Sequence, residues 1–326
     1  MDISCAFPPM ADTPAHIELA ERLGYHRAWV FDTPTLQLDV WMTLALTARR
    51  TSRIGLGPGV LIPSLRHPMV TASAIAHLSL LAPDRIEVGV GAGFTGRNAM
   101  GQRGLKWSTV VDYVATVQHL LAGDTVEVEG ARTRMLHWAG QAPERPIAVP
   151  WRLAVGGPKG MEAARGLGTS IFLSRPSAGD DYGDFPGVTG MVSGVVLDED
   201  EPVDSPRALA TAGPGVAILY HLASERRDGS VSSLPNGDRF LELVEGVPED
   251  VRHLTTHEGH LSQLNAIDRQ VLDAAAMRRS ALLCTADQVP AWAQRYADMG
   301  VTELTYEPMG DIPDALTRFA TAMGLG

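Results

Sequence analysis

The chain has 326 residues, of which 45% are hydrophobic and 20% are charged, and its formal net charge is −11. That length allows one large α/β barrel or two ordinary domains. The negative charge argues against nucleic acid or an anionic membrane as the main partner, because an acidic surface is repelled by both.

A short apolar segment followed by a helix recurs along the chain. Most of these apolar segments are continuous rather than alternating, which is typical of strands covered on both faces. Strands that alternate with helices predict a parallel sheet, and eight such units predict a closed (β/α)8 TIM barrel. The predicted strands are residues 2–7, 27–31, 54–62, 85–90, 151–155, 170–174, 190–197 and 301–306. Helices are predicted over residues 14–24, 40–52, 67–82, 106–123, 158–168 and 312–324.

Three segments depart from a minimal barrel. Residues 124–150 predict a hairpin before the fifth strand, and the Gly-, Pro- and Asp-rich residues 175–189 predict a short or missing sixth helix. Residues 206–290 predict a long, mainly helical segment with a polar break. Because no linker or repeat is visible, we expect residues 1–326 to form a single barrel domain with insertions near 124–150 and 206–290.

The two cysteines, Cys5 and Cys284, lie far apart and form no paired motif, which is typical of a reducing compartment. The first residues lack the regions of a signal peptide. No run of about 18 apolar residues predicts a membrane span. We therefore expect a cytoplasmic protein whose partner is a small molecule rather than nucleic acid or a membrane.

Five predicted strands have unusual residues at or near their ends. In a (β/α)8 barrel these ends form the mouth, where the βα loops build the functional site. Asp32 and Thr33 follow the second strand, and Glu307 follows the eighth. The other three are the third strand with "GPGV" (57–60), the fourth with "GVGAGFTGR" (89–97) and the fifth with "VGGPKG" (155–160).

The turn after the fifth predicted strand favours a phosphate. Gly156 and Gly157 allow close approach of backbone N–H groups, Pro158 opens a helix, and Lys159 adds a positive charge near its start. A tight strand-to-helix turn is the alternative. The segment 91–97 resembles the dinucleotide-binding glycine pattern only loosely and lacks its structural context.

Histidines are concentrated in the segment 253–260. His253 and His257 are four residues apart and on a helix could share a metal ion. Gly259 weakens a helix there, and Asp32 and Glu307 are the only acidic residues evident at strand ends. We therefore expect no metal site, and we expect these histidines to lie at the surface or line a pocket.

Three segments carry a resemblance to a known family. They are "SRIGLGPGVLIPSLRHPMVTASAIAHLSLLAPDRIEVGVGAG" (52–93), "LAVGGPKGMEAARGLG" (153–168) and "TADQVPAWAQRYADMGVTELTYEP" (285–308). On them the chain resembles the luciferase-like flavin-dependent oxidoreductases, and within these the branch that binds coenzyme F420, a deazaflavin, including methylenetetrahydromethanopterin reductase. The resemblance implies a (β/α)8 barrel with insertions, usually a dimer, with the cofactor at the C-terminal mouth and its phosphate near the turn after the fifth strand.

The resemblance also accounts for the glycines and proline within the third strand. Many members of the family have a bulge there with a non-proline cis peptide bond whose backbone presses on one face of the cofactor ring. The match falls on Gly59 and Val60. It implies that Gly59→Val weakens cofactor binding more than stability. A plain glycine bulge at a corner of the barrel is the alternative.

Cofactor contacts are assigned from the resemblance residue by residue. They are Asp32, Gly59, Val60, Gly91, Gly93, Gly156, Gly157 and Pro158. The acid and base residues of the relatives are absent at the matching positions. Thr33 stands where sugar-phosphate dehydrogenases of the family have a catalytic histidine, Phe94 where several relatives have an acidic residue, and Ala6 where the reductases have a glutamate.

The implied chemistry is hydride transfer between the deazaflavin and a small organic substrate, by reduction of a C=N or C=C bond or the reverse. Such a transfer needs a proton donor nearby. The candidates for catalysis are Asp32, Thr33, His257 and Glu307. Substrate contacts are expected at Phe94, Arg97, Arg175 and His260.

Three other functions remain open at this point. They are a reduced-FMN-dependent monooxygenase on the same fold, a metal-dependent barrel hydrolase that uses the histidines of residues 253–260, and a flavin-binding barrel without catalysis. FMN is accordingly the alternative cofactor. A homodimer is expected from the resemblance and from the apolar, small-residue helices that begin near residues 40 and 70.

Overall fold

The computed structural model describes residues 1–177 and 179–326. Its strands are β1 (Asp2–Phe7), β2 (Arg27–Val30), β3 (Gly55–Pro58), β4 (Val88–Gly91), β5 (Val126–Val128), β6 (Ala131–Thr133), β7 (Trp151–Ala154), β8 (Ser170–Leu173), β9 (Val188–Leu197), β10 (Leu282–Thr285) and β11 (Glu303–Glu307). Its helices are α1 (Thr13–Arg22), α2 (Val40–Ala48), α3 (Pro68–Leu81), α4 (Phe94–Asn98), α5 (Trp107–Ala122), α6 (Pro158–Leu167), α7 (Pro206–Arg226), α8 (Gly237–Glu245), α9 (Arg252–Thr256), α10 (Asp268–Val271), α11 (Ala274–Met277), α12 (Val289–Asp298) and α13 (Ile312–Met323). Short 3-10 turns occupy Pro63–Leu65, Ser230–Ser233 and Ala286–Gln288.

A parallel sheet in the order β3-β2-β1-β11-β9-β8-β7-β4 forms the centre of the molecule. Isolated bridges between Leu56 and Ile86 and between Leu61 and Val90 join β3 to β4 and nearly close the sheet. This confirms the (β/α)8 barrel and all eight predicted strands. No helix among the described residues is long and apolar enough to cross a membrane.

Residues of β11 alternate between the two faces of the barrel wall. Leu304 and Tyr306 pack in the main hydrophobic core between strands and helices. Side chains of a strand point to opposite faces in turn, so Glu303, Thr305 and Glu307 face the interior of the barrel.

Buried ion pairs fill the interior at the N-terminal ends of the strands. Arg152 lies 2.9 Å from Glu303, and Arg27 lies 3.0 Å from Glu87. Trp29 donates from Nε1 to Glu303 at 2.9 Å. With this end filled, the opposite end of the barrel is the mouth.

The inserted segments follow the predictions with one correction, and one barrel strand is shorter than predicted. Residues 124–150 contain the predicted hairpin, formed by β5 and β6. The described part of residues 175–189 holds no helix, as predicted, and Ala178 lies outside the described residues. The segment 206–290 holds α7 to α11 but also β10, which pairs with Gly194–Leu197 of β9, so the mainly helical prediction missed one strand. The third strand also ends at Pro58 rather than at residue 62.

Candidate functional site at the barrel mouth

Parallel strands bring their C-terminal ends to the same end of the barrel. Asp32 and Thr33 follow β2, Gly59 and Val60 follow β3, and Glu307 ends β11. The glycine turns after β4 and β7 and the loop with Arg175 after β8 lie at this end as well. The candidate residues predicted at the strand ends therefore lie at the same mouth of the barrel. Their burial and hydrogen-bond partners differ.

The end of β3 turns into the barrel. The peptide bond between Gly59 and Val60 is cis, which confirms that prediction. A Cβ atom at Gly59 would lie 2.8 Å from Cβ of Trp29. The missing side chain of Gly59 therefore makes room for Trp29 in the core, and contact of this backbone with a bound ring stays a prediction.

The side chain of Val60 occupies the space that side chains at two glycines of β4 would need. Cβ atoms at Gly89 and Gly91 would each lie 2.8 Å from a methyl carbon of Val60. Gly93, which precedes α4, has a φ of 82°, a conformation that strongly favours glycine. Packing and backbone geometry thus account for Gly91 and Gly93, and their contact with a cofactor stays a prediction.

The turn after β7 is open on its outer side. No atom of the described residues lies within 4 Å of a Cβ built at Gly156 or Gly157. Pro158 begins α6, which has 10 residues. The unpaired N–H groups at such a helix start suit an anion, so this turn can accept a phosphate where a side chain would otherwise project.

Asp32 is not a free carboxylate. Its side chain is 1% exposed and accepts hydrogen bonds from Arg66 Nη1 at 2.7 and 2.6 Å and from the Ile62 amide at 3.4 Å. Burial raises the pKa of Asp32 above the ordinary range, and Arg66 offsets part of that rise. Asp32 therefore holds the loop after β3 in place.

Thr33 donates its hydroxyl to Gln37 Oε1. Gln37 in turn donates from Nε2 to Ser262 Oγ at 3.2 Å. Thr33 thus joins the turn after β2 to the distant segment around residue 262, and its proton is engaged in this link.

Glu307 is an acidic group of the mouth that forms no ion pair within the described part of the chain. It is 1% exposed, and its Oε1 atom has no hydrogen-bond partner among the described residues. Burial alone raises its pKa from 4.5 to about 8. A carboxyl group with that pKa carries its proton at neutral pH and can donate it.

The three predicted substrate contacts other than His260 differ in how far they are exposed. Phe94 on α4 is 67% exposed, and Arg175 is exposed in the loop after β8. Arg97 is engaged within the protein, donating to Ser64 Oγ at 2.5 Å and to the Arg103 carbonyl at 2.6 Å. Arg97 therefore braces two loops of the mouth, whereas Phe94 and Arg175 are available to a ligand.

His257 and His260 lie in a buried cluster, but the third member is not the one expected. Ring nitrogens of His221, His257 and His260 all lie within 4.8 Å of one another. His253 lies elsewhere and packs near Gly101. The sequence analysis missed His221, which stands on α7 one helical turn before Glu225; this i, i+4 pair was the available signal.

The segment 257–264 lies across the mouth. Leu261 packs in an interior cluster with Ala6, Trp29, Phe31 and Phe172. Leu264 contacts α7, where its methyl carbon lies 3.1 Å from a Cβ built at Gly213. We call residues 257–264 the mouth segment; it connects the helical insertion to the barrel interior.

The fold and the mouth define a class: a TIM-barrel protein whose candidate site is formed by βα loops, with an open glycine turn after β7 and two buried acids, Asp32 and Glu307. Comparison with known proteins narrows this class. The model of the luciferase-like monooxygenase family matches residues 4–184. The chain belongs to this family.

Relatives agree with that assignment. A 5,10-methylenetetrahydromethanopterin reductase from Methanolobus tindarius is 28% identical over 171 residues, and this alignment covers 51% of each chain, about half the length of that relative. An F420-dependent glucose-6-phosphate dehydrogenase from Kineococcus radiotolerans is 31% identical over 335 residues, covering 92% of this chain and 88% of the relative.

A solved structure extends the likeness of fold to the whole chain. The coenzyme F420-dependent tetrahydromethanopterin reductase from Methanopyrus kandleri superposes with a TM-score of 0.69 at 18% identity. The superposition covers 98% of this chain and 97% of the reductase. The insertions described above therefore lie within a shared barrel architecture.

Proposed function

We propose that this protein is a coenzyme F420-dependent oxidoreductase that transfers a hydride between the deazaflavin and a small organic substrate. The substrate would present a C=N or C=C bond to be reduced, or the product of that reduction to be oxidised. The observation that carries the proposal is the open turn at Gly156 and Gly157, in a chain that aligns along most of its length with an F420-dependent relative.

The residues present fit such a cofactor. Gly156, Gly157 and the start of α6 would hold its phosphate, because no described side chain fills the space before them. The backbone at Gly59 and Val60 would border its ring. When bound, F420 supplies a ring carbon that gives or accepts a hydride. The protein orients the cofactor, excludes water and supplies a proton.

Glu307 is the proposed proton donor. Of the four catalytic candidates, Asp32 is paired with Arg66 at 2.6 Å, and His257 is paired with Glu225 at 2.8 Å. Thr33 is bonded to Gln37. Glu307 alone combines burial, a free oxygen atom and a pKa of about 8, so its proton is held at neutral pH without a competing partner.

The proposal is tested by titrating purified protein with F420 and with FMN side by side, following the fluorescence of each. We expect the tighter dissociation constant for F420. Gly156→Leu should weaken F420 binding by about tenfold or more, because its side chain enters the phosphate space. Gly166→Leu is the matched control, since no described atom lies within 4 Å of a Cβ at that exposed position either.

Two results would overturn the proposal. Binding of FMN without F420 would favour the second candidate, a reduced-FMN-dependent monooxygenase, which the description of the matching family model supports. Binding of neither cofactor would exclude both. Equal losses in Gly156→Leu and Gly166→Leu would remove the turn after β7 from the site.

We also propose that the protein is a homodimer formed through α2 and α3, with a second copy of this chain covering their outer faces. These adjacent helices expose large apolar side chains that the barrel does not use, and a shallow groove lies along α3. The exposed residues are Met42, Leu46, Val70 and Leu80. Met69, Val70, Ser73, Ala74 and His77 line the groove.

A further inference from the structure

Three imidazole rings meet in a buried position between α7 and the mouth segment. His221 Nδ1 lies 2.8 Å from His260 Nδ1, and His257 Nδ1 lies 3.4 Å from the same atom. All three histidines are at least 95% buried, with exposed fractions of 1%, 4% and 4%. Three Nδ1 atoms from three residues therefore converge on one point.

The outer nitrogens of two rings are held by carboxylates. His221 Nε2 lies 2.9 Å from Asp268 Oδ1, and His257 Nε2 lies 2.8 Å from Glu225 Oε1. A carboxylate accepts a hydrogen bond, so both Nε2 atoms carry the ring proton and both Nδ1 atoms present lone pairs inward. Ligating histidines in metal sites are oriented by such outer carboxylates.

Two further groups fix the carboxylates in turn. Asp268 Oδ2 accepts from the Asn265 amide at 3.2 Å. Glu225 Oε2 accepts from Asn98 Nδ2 on α4 at 2.6 Å. Each outer acceptor is thus positioned by a second residue, so the two rings cannot turn without breaking a chain of hydrogen bonds.

The cluster is not satisfied by its own hydrogen bonds. A proton on His260 Nδ1 can be donated to the lone pair of His221 Nδ1 or to that of His257 Nδ1. The other of these two lone pairs then has no donor. Its Nε2 atom is buried with no partner in the described part of the chain. Burial and the two neighbouring rings lower the pKa of His260, so this ring is neutral and its lone pair is available.

We propose that His221, His257 and His260 bind a divalent transition-metal ion of the zinc class through their Nδ1 atoms. Imidazole nitrogen is the donor that zinc and its neighbours prefer. A tetrahedral ion with bonds of about 2.0–2.1 Å separates its ligands by about 3.3 Å. The 3.4 Å contact already matches this spacing, and the 2.8 Å contact opens by about half an ångström.

Binding is balanced in protons. A metal ion is bound by neutral imidazole, so the proton on His260 Nδ1 moves to Nε2 and does not have to leave the cluster. The fourth position of the ion is left to water.

The ion would fasten the mouth segment to the rest of the fold. His221 belongs to α7, whereas His257 and His260 belong to the segment that places Leu261 in the barrel interior. Glu225 adds the link to α4 through Asn98. This role is structural and goes beyond the proposed hydride transfer, for which Glu307 is the proposed proton donor.

The test uses the full-length protein stripped of metal by a chelator and dialysed. Titration with Co2+ should produce the visible absorption bands of a tetrahedral ion, reaching one equivalent per chain, and Zn2+ should displace them. Zn2+ should raise the melting temperature by several degrees. In His260→Gln the bands and the rise should both disappear, and in Asp268→Asn the affinity should fall about 10- to 100-fold.

His253→Gln is the matched control, because His253 lies in the same stretch of chain but outside the cluster. It should bind Co2+ as the wild type does. The proposal is overturned if the wild type shows no bands at micromolar Co2+, or if His260→Gln, folded by circular dichroism, binds as tightly as the wild type. Titrating F420 against the metal-free protein separates this result from that of the proposed function.

Discussion

Arg66 joins two aspartates at opposite ends of the loop between β2 and α2. Its Nη1 atom lies 2.6 Å from Asp32 Oδ2, and its Nη2 atom lies 2.8 Å from Asp39 Oδ2. Asp39 also caps α2 by accepting from the Met42 amide at 2.9 Å. The guanidinium therefore fixes the loop after β3 to both the end of β2 and the start of α2.

Arg66→Met should destabilise the protein strongly. It leaves the Asp32 carboxyl, 1% exposed, without its partner, and breaking a buried pair in this way costs about 3–5 kcal/mol. Arg50→Met is the matched control: its pair with Glu18 at 2.7 Å is half exposed and is worth less than about 1 kcal/mol. Urea unfolding measures both, and equal losses would show that the Arg66 contacts are dispensable.

The barrel itself was readable from the sequence because its strands are buried on both faces. A continuous apolar run such as Val88–Gly91 reads as a parallel strand, and the helix after it follows from its own spacing. The end of β3 was readable as irregular for a related reason, since Gly57 and Pro58 do not suit a regular ladder. The residue that this glycine accommodates could not be predicted, because Trp29 comes beside Gly59 only through the register in which β2 pairs with β3.

Neither the histidine cluster nor the raised pKa of Glu307 could be predicted from local sequence patterns. His221 and His260 are 39 residues apart, and they meet because α7 and the mouth segment pack against each other. Glu307 was a candidate only by its place at a strand end. Its raised pKa depends on the burial of that strand end in the folded chain, which no short stretch of sequence records.

Gly59→Val should lower stability before it affects cofactor binding. The new Cβ would lie 2.8 Å from Trp29 Cβ, and overpacking of this kind costs about 1–3 kcal/mol. The melting temperature and the F420 dissociation constant, measured on the same sample below the transition, separate the effects. A variant with the wild-type melting temperature and a hundredfold weaker Kd would instead support the expectation from the family resemblance, that Gly59→Val weakens cofactor binding more than stability.

The double variant Met42→Glu and Leu46→Glu should be monomeric. Both residues lie exposed on α2, at 70% and 60%, and two charges buried against a second copy would oppose association. Light scattering at micromolar concentration should give about twice the mass of the 34.9 kDa chain for the wild type and a single chain for the variant. Leu136→Glu, at an equally exposed position in the insertion (76%), should remain dimeric; a monomeric wild type would refute the interface.

Glu307 should make stability fall as pH rises above 4.5. Below its ordinary pKa of 4.5 the carboxyl is protonated in both states, whereas between 4.5 and about 8 the unfolded chain releases the proton that the folded chain keeps. Relative to Glu307→Gln, the free energy of unfolding of the wild type should drop by roughly 1.4 kcal/mol per pH unit in this window. Denaturant unfolding at pH 5, 6 and 7 measures the slope, and parallel curves would mean that Glu307 titrates normally.

Glu307→Gln should also remove the proton for reaction while leaving the cofactor in place. With a substrate that oxidises reduced F420 in the wild type, the rate should fall by about 10²- to 10⁴-fold, and the F420 dissociation constant should stay within about twofold. The wild-type rate should decline above about pH 8, where Glu307 loses its proton, and the variant should lack that decline. Glu258→Gln, at an exposed carboxyl of the mouth segment, should behave as the wild type. If Glu307→Gln retains both the rate and the alkaline decline, the proton comes from another group, and the free carboxyl of β11 serves only to fill the mouth.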